Sequence, residues 1–246
     1  MQERTAAMAD AKRPLLAVLI DADNTSPRYA SAIFEEIAGM GEASVRRCYG
    51  DFSSPQMNGW SKVQAEHGIV PHHSPAHTVG KNSSDISLVI DAMDILHTGR
   101  FDGFVLVSSD SDFTRLASRI REQGLDVFGI GQAKTPEAFR KACKRFIFLE
   151  NIGGQAKADT SVKAETGGAG ALKEARDVIG RAMDALEGDE EGWVGMGPLG
   201  QYLVSAYPDF DTRTYGRKKL SDLIADLKVF ETRKGTGGQV MVRRVD

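Results

Sequence analysis

The chain has 246 residues, room for one large domain or two modest ones at roughly 100–200 residues per domain. Hydrophobic residues at 41% and charged residues at 26% sit near the globular average, which excludes a largely disordered or fibrous chain. A formal net charge of −3 excludes coating of nucleic acid through bulk charge and leaves only a local basic face open.

The longest apolar run, Leu15–Ile20, falls far short of the ~20 residues needed to cross a bilayer, so no membrane span is expected. Met1 to Arg13 is polar and alternately charged, unlike a secretory signal. Cys48 and Cys143 are too few for a disulfide scaffold and stand in no metal-binding spacing. A reducing, cytoplasmic setting is the expectation.

In chain order, residues 14–152 alternate strand-like and helix-like stretches. Leu15–Asp21, Ser44–Gly50, Ile69–His73, Gly103–Ser108 and Leu125–Ile130 are short runs rich in Val, Ile, Leu and Phe, and Phe146–Leu149 is a candidate sixth. Between them, apolar residues recur at three- and four-residue spacing: Ile33, Phe34 and Ile37; Ile86, Val89, Ile90, Met93 and Leu96; Phe113, Leu116 and Ile120. Near-continuous apolar strands alternating with amphipathic helices predict a doubly wound α/β domain, its parallel sheet covered on both faces. Residues 153–170 contain no Leu, Ile, Phe, Tyr or Trp and carry glycine pairs near both ends, the composition of a flexible linker.

Residues 171–246 predict a smaller domain. Helical stripes run through Leu172, Ala175, Val178, Ile179, Met183 and Leu186, then Pro198, Leu199, Tyr202, Leu203 and Tyr207, then Leu220, Leu223, Ile224 and Leu227. Val229–Thr232 and Val240–Val242 flank a glycine-rich turn, hence a hairpin. Three helices and a hairpin make a winged helix-turn-helix.

Ligands meet the carboxyl ends of the strands in a doubly wound sheet, and carboxylates stand there. The first strand ends in Asp21-Ala-Asp23-Asn24, the fourth in Ser108-Ser109-Asp110-Ser111-Asp112, and Asp85 opens the helix through Ile86. Each acid alone has a simpler reading, because Asp is a common helix cap. Asp112 and Asp85 are both placed to cap, with Ser84 able to replace Asp85; Asp21, at the end of an apolar strand, is not. If the first and fourth strands are neighbours, the acids converge, and like charges that close need a cation or shared protons. Hard oxygen ligands suit Mg²⁺ or Mn²⁺. Asp91 and Asp94 lie about 240° and 180° around the helix from Asp85, which predicts a solvated polar face for them. His72, His73 and His77 form a Pro-flanked loop without a zinc pattern.

Asp21-Ala-Asp23-Asn24-Thr25 matches the opening motif of haloacid-dehalogenase-like phosphohydrolases. That family needs a flap straight after the first strand and its later motifs in another order, since Lys81 here precedes Ser108. The ordered set VLIDADN, GKNSSDISLVIDAMDIL, SSDSDF and DVFGIG instead resembles the NYN domain, a PIN-like nuclease family that includes the bacterial LabA/DUF88 proteins. The resemblance implies a PIN-like fold and an acidic, catalytic, metal-holding centre at Asp21, Asp85, Asp110 and Asp112. Asn24 and Ser109 are implied as supports near the substrate, and Lys81 as a phosphate contact. The implied chemistry is metal-dependent hydrolysis of RNA phosphodiesters by water, with two ions about 3.5–4 Å apart able to steady the attacking and leaving oxygens.

The run from Asp209 to Leu223, above all Tyr215-Gly216 and Leu220-Ser221-Asp222-Leu223, resembles the OST-HTH/LOTUS domain. Members bind RNA, and some bind helicase partners. Arg213, Arg217, Lys218, Lys219, Arg233 and Lys234 are the expected phosphate-contacting face, against the simpler reading of a solvated surface. Tyr215 is expected in the core. The resulting expectation is a Mg²⁺- or Mn²⁺-dependent endoribonuclease with an RNA-binding module. A non-catalytic RNA-binding adaptor is the alternative, and the phosphohydrolase comes third. Oligomeric state is left open.

Overall fold

The computed structural model describes residues 13–53, 57–74, 83–153, 168–235 and 237–245. Six strands, β1 (Leu15–Asp21), β2 (Glu42–Gly50), β3 (Val70–His73), β4 (Gly103–Val107), β5 (Asp126–Gly131) and β6 (Arg145–Phe148), form one sheet in the order β3-β2-β1-β4-β5-β6. The pairings of β1 with β2 and β4, of β2 with β3, and of β4 with β5 are all parallel. β1 lies between two parallel neighbours and under helices, which is why Leu16–Ile20 is an unbroken apolar run at 0–1% exposure.

The connecting helices are α1 (Ala30–Ala38), α2 (Asn58–His67), α3 (Ser83–His97), α4 (Thr114–Glu122), α5 (Glu137–Ala142) and α6 (Leu149–Ile152). Pro27 opens a short 3-10 turn, Pro27–Tyr29, and α1 follows at once, so no flap intervenes after β1. α3 packs on β1 and β2, and α4 on β5. The buried face of α3 is Ser84, Leu88, Ala92, Ile95 and Leu96. This corrects the expected stripe: Ile86 and Ile90 are 60% and 57% exposed. The helix carries apolar residues on more than one face; of the expected stripe Leu96 is buried, Val89 and Met93 are half-buried, and Ile86 and Ile90 face outward.

The described chain falls into two compact units that divide between Cys143 and Lys144. Beyond β6 and α6, the later unit contains α7 (Gly168–Asp184), β7 (Val194–Gly195), α8 (Met196–Ala206), α9 (Leu220–Leu227), β8 (Phe230–Lys234) and β9 (Val240–Arg244). The three strands form an antiparallel sheet in the order β7-β9-β8. Ala175, Ile179, Leu199, Leu203, Leu223, Ile224 and Val242 make its core, and Tyr215 packs against it. α7 starts at Gly168, so the last residues of the expected linker are helical; residues 154–167 lie outside the described residues. Cys48 and Cys143 are buried free thiols.

Candidate active site

Strand order decides the site. β1 and β4 are neighbours, with Ile20 opposite Val107, and here the winding of the sheet reverses. Such a switch point leaves a crevice outside the carboxyl ends of the two strands. Asp21 ends β1 there, and Ser108 to Asp112 follow β4.

Asp21 is 1% exposed. Its Oδ2 accepts from Ser108 Oγ at 2.6 Å and Asn24 Nδ2 at 2.9 Å, and its Oδ1 from the Asn24 backbone N–H at 3.2 Å. Burial nevertheless raises its pKa, outweighing these donors, and nearby Asp23 adds to the rise. Asp85, in the first turn of α3, is pushed up to about 6, first by burial and then by the charges of Asp21, Asp110, Asp23 and Asp112. One carboxylate on α3 thus feels four others from the ends of β1 and β4. Among the described residues, no cation contributes to that shift.

Asp23 belongs to this cluster. Its Oδ2 accepts from Ser84 Oγ at 2.7 Å and its Oδ1 from the Asp51 N–H at 3.2 Å. Ser84 therefore holds Asp23 rather than serving as a spare cap. Gly50 is needed beside it, because a Cβ there would lie 2.9 Å from Asp23 Oδ1 and 2.6 Å from Met57 Cε. The sequence showed Asp23 among the acids that end β1 but did not place it in the acidic centre; its two fixed oxygens depend on residues far away in the chain.

The loop after β4 is locked locally. Asp110 Oδ1 accepts from the Asp112 N–H at 2.9 Å, so Asp110, not Asp112, caps the 3-10 turn Ser111–Phe113. Ser109 Oγ accepts from the Gln132 N–H at 2.9 Å, tying the end of β4 to the end of β5. Asn24 and Ser109 both support the loops around the acids. Lys81 lies outside the described residues.

The donor set is all carboxylate and hydroxyl oxygen, chemistry that fits a hard divalent cation. Among the described residues no group of three or more His, Cys, Asp or Glu side chains already stands gathered to hold an ion.

Asp91 corrects an expectation. Instead of a solvated face it meets three donors on one oxygen: Arg47 Nη1 at 2.8 Å, Tyr49 Oη at 2.7 Å and His72 Nδ1 at 3.2 Å. Burial, then the bond to Asp91, pushes the Tyr49 phenol up, so it stays a donor. The cluster fastens α3 to β2 and β3. Asp91→Ala is expected to cost about 2–3 kcal/mol by stranding these donors, read by urea unfolding. A loss below about 0.5 kcal/mol would show that these three bonds do not hold α3 to the sheet. His73 stands 4.0 Å from Asp51 Oδ1, and His77 lies outside the described residues.

In the second unit the expected basic face divides. Arg213 Nη2 donates to Asp211 Oδ2 at 2.6 Å and its Nε to both Asp211 oxygens, at the start of the 3-10 turn Thr212–Tyr215. Arg217 pairs with Asp226. Arg233 pairs with Asp189 at 3.0 Å and Glu191 at 2.9 Å while lying over the Trp193 ring. These arginines answer carboxylates of their own unit, which spacing in the sequence cannot reveal. Lys218, Lys219 and Lys234 are exposed, and no described ion pair engages them. Burial raises the Tyr215 hydroxyl to about 12, consistent with a core residue.

A parallel sheet with acids crowded at its switch point, then a small winged helix, defines a PIN-like α/β protein with a nucleic-acid-type module. The NYN domain model matches residues 15–150, and the OST-HTH/LOTUS domain model matches residues 172–242. The chain belongs to the NYN domain family. NYN domains are typically nucleases and OST-HTH/LOTUS domains bind RNA, so the pairing supports an RNA-related nuclease or binder. No curated protein matches the chain. A solved structure of a protein of unknown function from Vibrio parahaemolyticus is similar at TM-score 0.49 and 18% identity, over 57% of this chain and 96% of that one. No helix among the described residues is long and apolar enough to cross a membrane.

Proposed function

We propose that the chain is a Mg²⁺- or Mn²⁺-dependent endoribonuclease of the cytoplasm whose C-terminal domain holds the RNA. Domains at 14–152 and 171–246, joined through 153–170, make the second a tether that concentrates RNA at the first. The observation that carries the reading is geometric: in an NYN domain, β1 and β4 are neighbours, so Asp21 at the end of β1 and the Ser108–Asp112 loop after β4 meet at the switch point of the sheet.

Asp21, Asp85, Asp110 and Asp112 would hold the cation. When bound, it supplies Lewis-acid charge for the phosphoryl oxygens and the attacking water. Asp21 is the fixed member, because Ser108 and Asn24 hold both its oxygens. Asp85 is the member whose charge most needs a counter-ion. Asp112, exposed at the mouth, orients the water. The water oxygen bonds to phosphorus, the bond from phosphorus to the 3′ oxygen breaks, and a water proton ends on that oxygen. Labelled single-stranded and structured RNA should be cut in Mn²⁺ and left intact in EDTA. Undiminished cleavage in EDTA would end the reading.

The lack of a pre-gathered ligand cluster among the described residues favours one second reading, a non-catalytic RNA-binding adaptor. Binding without product in Mn²⁺ would select it. In either case Lys218, Lys219 and Lys234 are the phosphate contacts, possessing charge that no described carboxylate offsets. Replacing all three with Ala is expected to reduce the slope of log K against log salt by about 2 for single-stranded RNA. An unchanged slope would reject this face. Arg213→Ala acts differently, lowering the melting temperature through loss of the Asp211 pair. A helicase or other protein partner at this domain would compete with RNA for the same face.

A further inference from the structure

The end of β5 presents a closed turn beside the acidic loop. Its first residue, Gln132, donates its N–H to Ser109 Oγ at 2.9 Å, and Ser109 directly precedes Asp110. Thr135, 2% exposed, closes the turn on Gln132 O, with its N–H at 3.0 Å and its Oγ1 at 2.6 Å. Lys134 lies at the exposed tip of this turn, and the base of the turn is bonded to the loop that carries Asp110 and Asp112. The helix that follows, α5, packs against both α4 and the 3-10 turn Ser111–Phe113. Arg115, in the first turn of α4, is exposed three residues beyond Asp112. Two cations are thus held on the loops after β4 and β5, on the sheet edge that bears the carboxylates.

These two differ from the cations around them. Arg119 pairs with Glu122 at 3.6 Å, Lys141 with Glu137 at 2.6 Å, and Arg121 donates to Ala142 O at 3.4 Å. Arg115 and Lys134 have no carboxylate partner among the described residues. A polyanion brought up to a group of aspartates is repelled along the stretch that lies within a Debye length of them. A divalent ion offsets this at the phosphate it holds, and the flanking phosphates need cations of their own. We propose that Arg115 and Lys134 form a phosphate-contacting rim on the NYN domain, holding the RNA backbone next to the bond presented to the carboxylates. Contacts to phosphate fix position and carry no sequence information, so the rim serves single-stranded RNA of any sequence. The proposal rests on the reading of the neighbouring acids as a centre that meets RNA.

Lysine acetylation read by mass spectrometry on the full chain follows the contact itself. In Ca²⁺, excess single-stranded RNA should slow modification of Lys134 at least about fivefold and leave Lys62, exposed on α2, unchanged. Removing both charges, Arg115→Gln with Lys134→Gln, keeps helix propensity and touches no buried group. This double variant should lower the slope of log K against log salt by about 1.4 for single-stranded RNA. Arg100→Gln removes an equally exposed charge before β4, at the other end of the sheet, and should leave the slope alone. In Mn²⁺ the double variant should cut RNA with KM raised about tenfold and kcat within about twofold, since backbone contacts serve ground and transition states alike. Protection confined to Lys218, Lys219 and Lys234, protection nowhere, or a slope that Arg100→Gln lowers equally overturns the rim. Cleavage is scored separately. Protection of Lys134 without cleavage in Mn²⁺ removes the nuclease and keeps the rim; cleavage with Lys134 unprotected does the reverse.

Discussion

The Asp110→Asn chain is expected to lose Mn²⁺-dependent RNA cleavage by about a thousandfold or more, yet to melt within about 2 °C of the wild type. Asn keeps the Oδ1 that accepts from the Asp112 N–H, and Asn caps as well as Asp. What it removes is one negative charge at the switch point. The comparison is cleaner than Asp21→Asn, where an amide NH₂ would face Ser108 Oγ and Asn24 Nδ2, both already donating. It is also cleaner than Asp110→Ala, which costs about 1 kcal/mol of capping besides. Wild-type cleavage by Asp110→Asn would remove the carboxylates from the chemistry.

The second large effect concerns stability without the ion. Asp85 titrates at about 6 in the folded chain against an ordinary 3.8. The folded state therefore holds that proton more tightly than the unfolded state does. The resulting stabilisation is full below about pH 3.8 and is lost as pH rises through about 6. Above that, the ion-free protein carries the repulsion undiminished. Asp85→Asn in EDTA at pH 8 should melt higher than the wild type, by about 3 °C. That figure takes about 1 kcal/mol for the relief, after discounting the shift for solvent screening at a half-exposed group. Mn²⁺ should raise the wild type by more than this and the variant by little. Calorimetry with and without Mn²⁺ reads both. A variant that melts lower in EDTA at high pH, or an equal Mn²⁺ shift in both proteins, contradicts a charge-strained ion site.

Local pattern made much of this legible. The apolar strands, the acids at their ends, the glycine-rich segment and the three helices with a hairpin follow from backbone periodicity and composition, which neighbouring residues set among themselves. The NYN and OST-HTH/LOTUS motifs were readable for the same reason, being short runs of fixed spacing. The misreadings share one cause. Ile86 and Ile90 look like core, Asp91 like solvated surface, and Arg213 and Arg233 like free cations until their surroundings are known.

From its sequence alone, this chain determined its class, its order of elements and which carboxylates stand at strand ends, because each depends on residues close together in the chain. Only the tertiary structure decided that β1 lies beside β4, that Asp23 joins the acids, which face of α3 is buried, and which arginines are already paired. Those properties depend on partners brought together by strand order and packing, and a side chain's charge, burial and free hydrogen-bonding capacity are set by such partners.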